Sequence, residues 1–155
     1  MGVPPYPNST CILRSLGSNR LVARRLAKMG ILPGSELRVV RTGPMGDPVE
    51  LAVEGGQSVA LRGKEARGLE CEHITVPLLA LKGQKGEPVY CIRQFLGGRH
   101  IAHKLGERGL RPGSRLQLLR RRPFTVLCLE TGAPVVLGNG EAAKILVEAE
   151  GGGDA

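Results

Sequence analysis

Two histidines, His100 and His103, stand three residues apart, and Cys91 precedes them in the same stretch. On a helix, imidazoles at i and i+3 can reach one transition-metal ion, so these three residues are the candidate metal ligands. No carboxylate is arranged with them in the sequence, and a partly exposed histidine pair explains the same spacing. A second group is cationic. Arg20, Arg24 and Lys28 fall at i, i+4 and i+8, with Arg25 beside them, and like charges at that spacing repel by about 0.2–0.5 kcal/mol per pair. Carboxylates or phosphates of a partner would relieve that repulsion, although a solvated helix face is the plainer explanation. Arg24, Arg25 and Lys28 are the candidates for steering such a partner. Directly after them come Met29, Ile31 and Leu32, which are either core or an exposed apolar contact. Catalytic patterns are missing: the chain has no Gly-x-x-x-x-Gly-Lys-Ser/Thr to cradle a phosphate, and no Ser/His/Asp or Cys/His set recurs along it. The expectation is a protein that binds and does not catalyse.

The elements that must hold these residues occur twice. LAKMGILPGSELRVVR, Leu26 to Arg41, returns as LGERGLRPGSRLQLLR, Leu105 to Arg120, at an offset of 79 residues. Each copy reads as a helix end, a tight turn and a strand start. Gly30 suits a helix C-terminal cap, Pro33 and Gly34 suit the centre of a type II turn, and alternation from Leu37 and Val39 starts a strand. Ser18 or Asn19 is placed to cap the helix N-terminus. The repeat also compares the candidates with their own counterparts. Met29, Ile31 and Leu32 become Arg108, Leu110 and Arg111, so Met29 and Leu32 are not required as core, while His100 and His103 stand where the first copy has Leu21 and Arg24.

Around each helix, turn-forming clusters divide the chain into short strands: Thr10 to Leu16, Glu36 to Thr42, Val49 to Glu54, Ser58 to Arg62 and Leu69 to Glu72 in the first copy. The second copy repeats the order and adds an opening with Leu78, Leu81 and Gly83. The fold class expected is all-β with one short helix per domain, two tandem SH3-like small β-barrels, with domains at 1–75 and 76–149 and a disordered Gly-rich tail at 150–155. Units of this size bury limited core, so packing of the two domains or a homo-oligomer would help both.

With 22 Lys and Arg against 14 Asp and Glu, the chain carries a formal charge of +8, which favours an anionic partner. Its four aromatics, Tyr6, Tyr90, Phe95 and Phe124, are too few for a base-stacking surface and lower the nucleic-acid alternative. Apolar runs are too short to span a bilayer, and the first residues lack a signal-peptide pattern, so a cytoplasmic protein that is not membrane-embedded is expected. The four cysteines include no C-x-x-C pair and read as buried, reduced thiols. An offset of 76 after a three-residue gap puts Cys128 opposite Ala52 and Cys71 opposite Val147.

RLAKMGILPGSELRVV, then GPMGDPVELAV, then SVALRGKEARGLECE resemble, in that order, the FeoA family of ferrous iron transport proteins. The match covers Thr10 to Glu72, and a more diverged one covers Leu78 to Glu148. The resemblance implies an SH3-like barrel, a cytoplasmic location and an accessory or regulatory role through binding the cytosolic part of FeoB, a transmembrane GTPase. No cofactor is expected, unless the spacing of His100 and His103 with Cys91 nearby serves to bind ferrous iron. Similar domains also end iron-dependent repressors, but this chain has no helix-turn-helix. The alternatives from other classes are a basic nucleic-acid-binding module and a ferrous iron metallochaperone. Copy two lacks Gly-Asp-Pro, which makes copy one the candidate for the family's interaction.

Overall fold

The computed structural model describes residues 2–81 and 88–150, so Gly83 and the tail beyond Glu150 lie outside it. The chain divides into two units between Ile74 and Thr75. Unit 1 contains β1 (Thr10–Ser15), α1 (Arg20–Lys28), β2 (Glu36–Thr42), β3 (Val49–Val53), β4 (Ser58–Leu61), α2 (Gly63–Arg67) and the first part of β5 (Glu70–Pro77). Its hydrogen-bonded order is β4-β3-β2-β1-β5, an antiparallel meander whose last strand returns beside the first. Unit 2 repeats this with β6 (Tyr90–Phe95), α3 (Arg99–Glu107), β7 (Arg115–Arg121), β8 (Phe124–Cys128), β9 (Ala133–Val136), α4 (Asn139–Ala143) and β10 (Ile145–Ala149). Its order is β9-β8-β7-β6-β10, with the end of β5 added beside β10.

Local chemistry accounts for the shared helix, turn and strand. The Asn19 side chain accepts hydrogen bonds from the amides of Leu21 and Val22 at 3.1 and 3.2 Å, which starts α1. Gly30 at φ +85° and Gly34 at φ +94° then take the left-handed conformations that a Cβ disfavours, and Gly109 and Gly113 repeat them at +88° and +95°. The two cores match at most positions, an exception being buried Val39, whose counterpart Leu118 is only partly buried. Leu13, Leu26, Ile31 and Leu37 are buried in unit 1, and their counterparts Ile92, Leu105, Leu110 and Leu116 are buried in unit 2. Burying each such side chain contributes on the order of 1.5–3 kcal/mol.

The all-β class with SH3-like strand order in each unit is as expected, and three points need correction. The sheets are SH3-like in order but do not close as barrels: β4 and β5 end the ladder of unit 1 and are joined through α2, not by strand pairing. β5 runs on past Glu72 to Pro77 because Thr75, Val76 and Pro77 pair with Glu148, Val147 and Leu146 of β10. The Pro-rich stretch at residues 2–8 forms no helix or strand, yet it contributes to unit 1. Val3 is buried in the core of unit 1 and its amide bonds the Ala66 carbonyl at 3.2 Å, the service that Leu78 and Leu81 perform in the core of unit 2. Finally, Leu37 pairs with Val53 while Leu116 pairs with Cys128, so Cys128 stands opposite Val53 rather than Ala52. The hairpin between β7 and β8 has lost four residues, one of which is regained before β9.

Candidate functional site

α1 and the turn after it present the residues singled out from the sequence. Leu26 is fully buried and Val22 packs partly against the core, which fixes the rotation of the helix and leaves Arg20, Arg24 and Lys28 exposed. Among the described residues no carboxylate forms an ion pair with these three. Met29 is 41% exposed and Leu32 52%, so both belong to the surface. Ile31 does not. It is 1% exposed, because the tight turn after Gly30 directs it into the core, and it is removed from the candidate face.

Arg25 has a second role. Its Nη2 lies 2.9 Å from Glu65 Oε2, and Glu65 Oε1 accepts the Arg62 amide at 3.0 Å. The carboxylate thus ties α1 to the start of α2. The amide of Arg62 is the main cause holding Glu65 below the usual carboxylate range, with burial opposing it and Arg25 assisting. Unit 2 keeps this device. Glu141 accepts the Gly138 amide at 2.9 Å and pairs with Lys104 and Arg108, at 3.2 and 3.1 Å. Its carboxyl is likewise held low, first by the Gly138 amide.

One residue of the face escaped sequence reasoning. Leu21 is 80% exposed, and it lies one turn before Arg25 and two before Met29. The signal was present in the repeat, since its counterpart His100 is polar. Unit 2 does not reproduce the face. Arg108, in the place of Met29, bonds the Val136 carbonyl and Glu141, both at 3.1 Å, and Glu107, in the place of Lys28, lies 3.0 Å from His103 Nε2. The mixed cationic and apolar surface is therefore a property of unit 1.

The candidate metal ligands are not assembled. His100 and His103 are exposed on α3, and His103 faces Glu107. Cys91 is half-buried in β6, where its thiol lies 3.7 Å from the Ile92 carbonyl. Among the described residues no group of three or more His, Cys, Asp or Glu side chains could hold a metal ion. Cys11 and Cys71 bring their sulfurs to 2.6 Å as buried thiols on neighbouring strands. The Cys11 thiol donates to Cys71, which draws the Cys71 pKa down and keeps Cys11 protonated. No helix of the described residues is long and apolar enough to cross a membrane.

Comparison with known proteins gives similar chains. The solution structure of iron(II) transport protein A from Clostridium thermocellum is 28% identical over 96% of this chain and 87% of its own, with a TM-score of 0.49. A FeoA-like protein from Clostridium acetobutylicum is 27% identical over 54% of this chain and 92% of its own, with a TM-score of 0.40. FeoA of Stenotrophomonas maltophilia, an SH3 domain protein determined in complex with zinc, is 31% identical over 46% of this chain and 85% of its own, with a TM-score of 0.37. The FeoA domain model matches residues 6–73 and again 82–149, well over half of the chain. Each match carries one copy of the helix, turn and five-strand order described above, and the chain therefore belongs to the FeoA family, with two FeoA domains in tandem.

Proposed function

We propose that this chain is a cytoplasmic, non-catalytic accessory protein of ferrous iron uptake that binds the cytosolic part of a FeoB-like membrane GTPase through the α1 face of unit 1. One observation carries the reading: Arg20, Arg24 and Lys28 have no ion-pair partner among the described residues and alternate with exposed Leu21, Met29 and Leu32. Interfaces combine apolar anchors with cations that steer an acidic partner, and this surface offers both. Family membership supplies the iron-transport context. Any effect on GTP hydrolysis would follow from binding one conformation of the GTPase better than another.

The test is calorimetric binding of the full chain to the cytosolic domain of its cognate FeoB, with and without GTP, across a salt series. Saturable binding that weakens with salt is expected. Leu32→Arg and the pair Arg24→Glu with Lys28→Glu should keep the fold and weaken association at least tenfold. Binding that is absent at low salt, or that survives all three substitutions unchanged, overturns the proposal.

A further inference from the structure

The two units differ most at one hairpin. In unit 1 Thr42 pairs with Val49, and six residues, Gly43 to Pro48, join them. In unit 2 Arg121 pairs with Phe124, and Arg122 and Pro123 alone make the connection. The longer loop of unit 1 folds back on the start of α2. Asp47 Oδ1 accepts the Gly63 amide at 2.8 Å, and a Cβ on Gly63 would meet the Gly46 carbonyl oxygen at 3.0 Å and Asp47 Cβ at 3.5 Å. The place is filled by the chain itself, with the Asp47 carboxylate and the Arg67 guanidinium both beside it.

Unit 2 has no such loop, and Asn139 stands where unit 1 has Gly63. What remains is a cleft of about 510 Å³ lined by Leu79, Arg120, Arg121, Arg122, Phe124 and Asn139. The charges have been exchanged as well as the shape. Arg41 pairs across the strands with Glu50, Nε to Oε2 at 2.8 Å. Its counterpart Arg120 faces Thr125, whose hydroxyl is turned to the Pro123 carbonyl at 2.8 Å. Arg41, Asp47, Glu50 and Arg67, whose Nη1 lies 3.2 Å from where a Gly63 Cβ would sit, sum to zero in unit 1, whereas Arg120, Arg121 and Arg122 sum to +3 in unit 2. No carboxylate of the described residues pairs with any of these three arginines.

Arg120, Arg121 and Arg122 all line the one cleft, so their like charges repel across it, and an anion of high charge reduces that repulsion. A phosphoryl group fits better than a lone carboxylate, because its oxygens accept the paired N–H groups of more than one guanidinium. The volume falls within the roughly 300–1,000 Å³ of small-molecule sites, well above what a bare phosphate occupies. Leu79, half-buried, gives the cleft an apolar side, while Phe124 is a core residue 2% exposed behind it. We infer that this cleft binds a small phosphorylated molecule, with its phosphoryl groups on Arg120, Arg121 and Arg122 and its body against Leu79. The site lies within unit 2 and does not rest on the α1 face of unit 1.

The experiment is titration calorimetry of the full chain with ATP, GTP, pyrophosphate and inorganic phosphate, beside an acidic peptide of matched charge. The nucleotides should bind saturably and more tightly than inorganic phosphate. Arg121→Ala with Arg122→Ala should weaken them at least tenfold, and the milder Arg121→Gln should weaken them measurably with the circular dichroism spectrum unchanged. Arg20→Ala with Arg24→Ala in unit 1 should leave them within twofold. Lack of nucleotide binding at millimolar concentration overturns the inference. So does tighter binding of the acidic peptide, or an equal loss in the unit 1 variant, which would mark the attraction as net charge.

Discussion

Replacing Glu65 separates two contributions that its carboxylate makes together. One oxygen accepts the Arg62 amide at the start of α2, and the other meets Arg25 on α1. A helix-end bond of this kind is worth about 1 kcal/mol. The ion pair contributes about 0.5 kcal/mol, because Arg25 is 48% exposed and its charge is screened by water. Glu65→Ala removes both and should cost about 1.5 kcal/mol, whereas Glu65→Gln keeps an acceptor and should cost about 0.5 kcal/mol. For a unit of this size the losses correspond to falls in Tm of about 6–12 °C and 2–4 °C. Thermal unfolding by circular dichroism, with amide exchange at residues 63–69, reads both. The pH dependence has a definite sign. The folded pKa of Glu65 lies below its unfolded value, so its stabilisation is complete above the unfolded value of about 4.3 and is lost as pH falls through the folded pKa. Glu65→Gln should therefore flatten the acid side of the stability curve. Equal losses in the two variants would assign the effect to charge, and no loss in either would show the carboxylate to be idle. Either result refutes the reasoning.

A methyl group on Gly34 would meet nothing within 4 Å, so Gly34→Ala should cost about 1–2 kcal/mol through its φ of +94° alone, and Gly34→Asn less, measured by urea unfolding. A thiol reagent on the native chain should modify half-buried Cys91 at least tenfold faster than Cys11, Cys71 and Cys128, with all four reacting in denaturant, as followed by mass spectrometry.

The parts legible in the sequence were those governed by neighbours along the chain. β2 runs from Glu36 to Thr42 as expected, because Pro33 and Gly34 fix its start and the alternation of Leu37 and Val39 fixes its faces. Leu26 and Ile31 illustrate the limit. Leu26 lies on the helix and is fully buried, but Ile31 lies in the turn, where no period applies and the left-handed Gly30 decides its direction. The extension of β5 to Pro77 depends on a partner strand far along the chain, Leu146 to Glu148, which periodicity does not reveal. At the candidate face, the charges were visible as a spacing, while the tie between Arg25 and Glu65 required the fold. The repeat contained that tie as well, in Lys104 and Glu141 at matching positions. The arginines at the end of β7 were visible as letters, and only the missing loop opposite Asn139 turned them into a concave site.

That hairpin has a consequence for how such a chain can diversify. Cross-strand partners face the same side of a sheet, so Thr42 with Val49 and Arg121 with Phe124 hold the same geometry whether six or two residues intervene. Closing the longer loop differs from closing the shorter by on the order of 1 kcal/mol. The tip therefore behaves as an exchangeable cassette whose length and charge vary at nearly constant fold stability. Duplication provides two cassettes on one polypeptide, and each can be retuned without reworking the core that supports it.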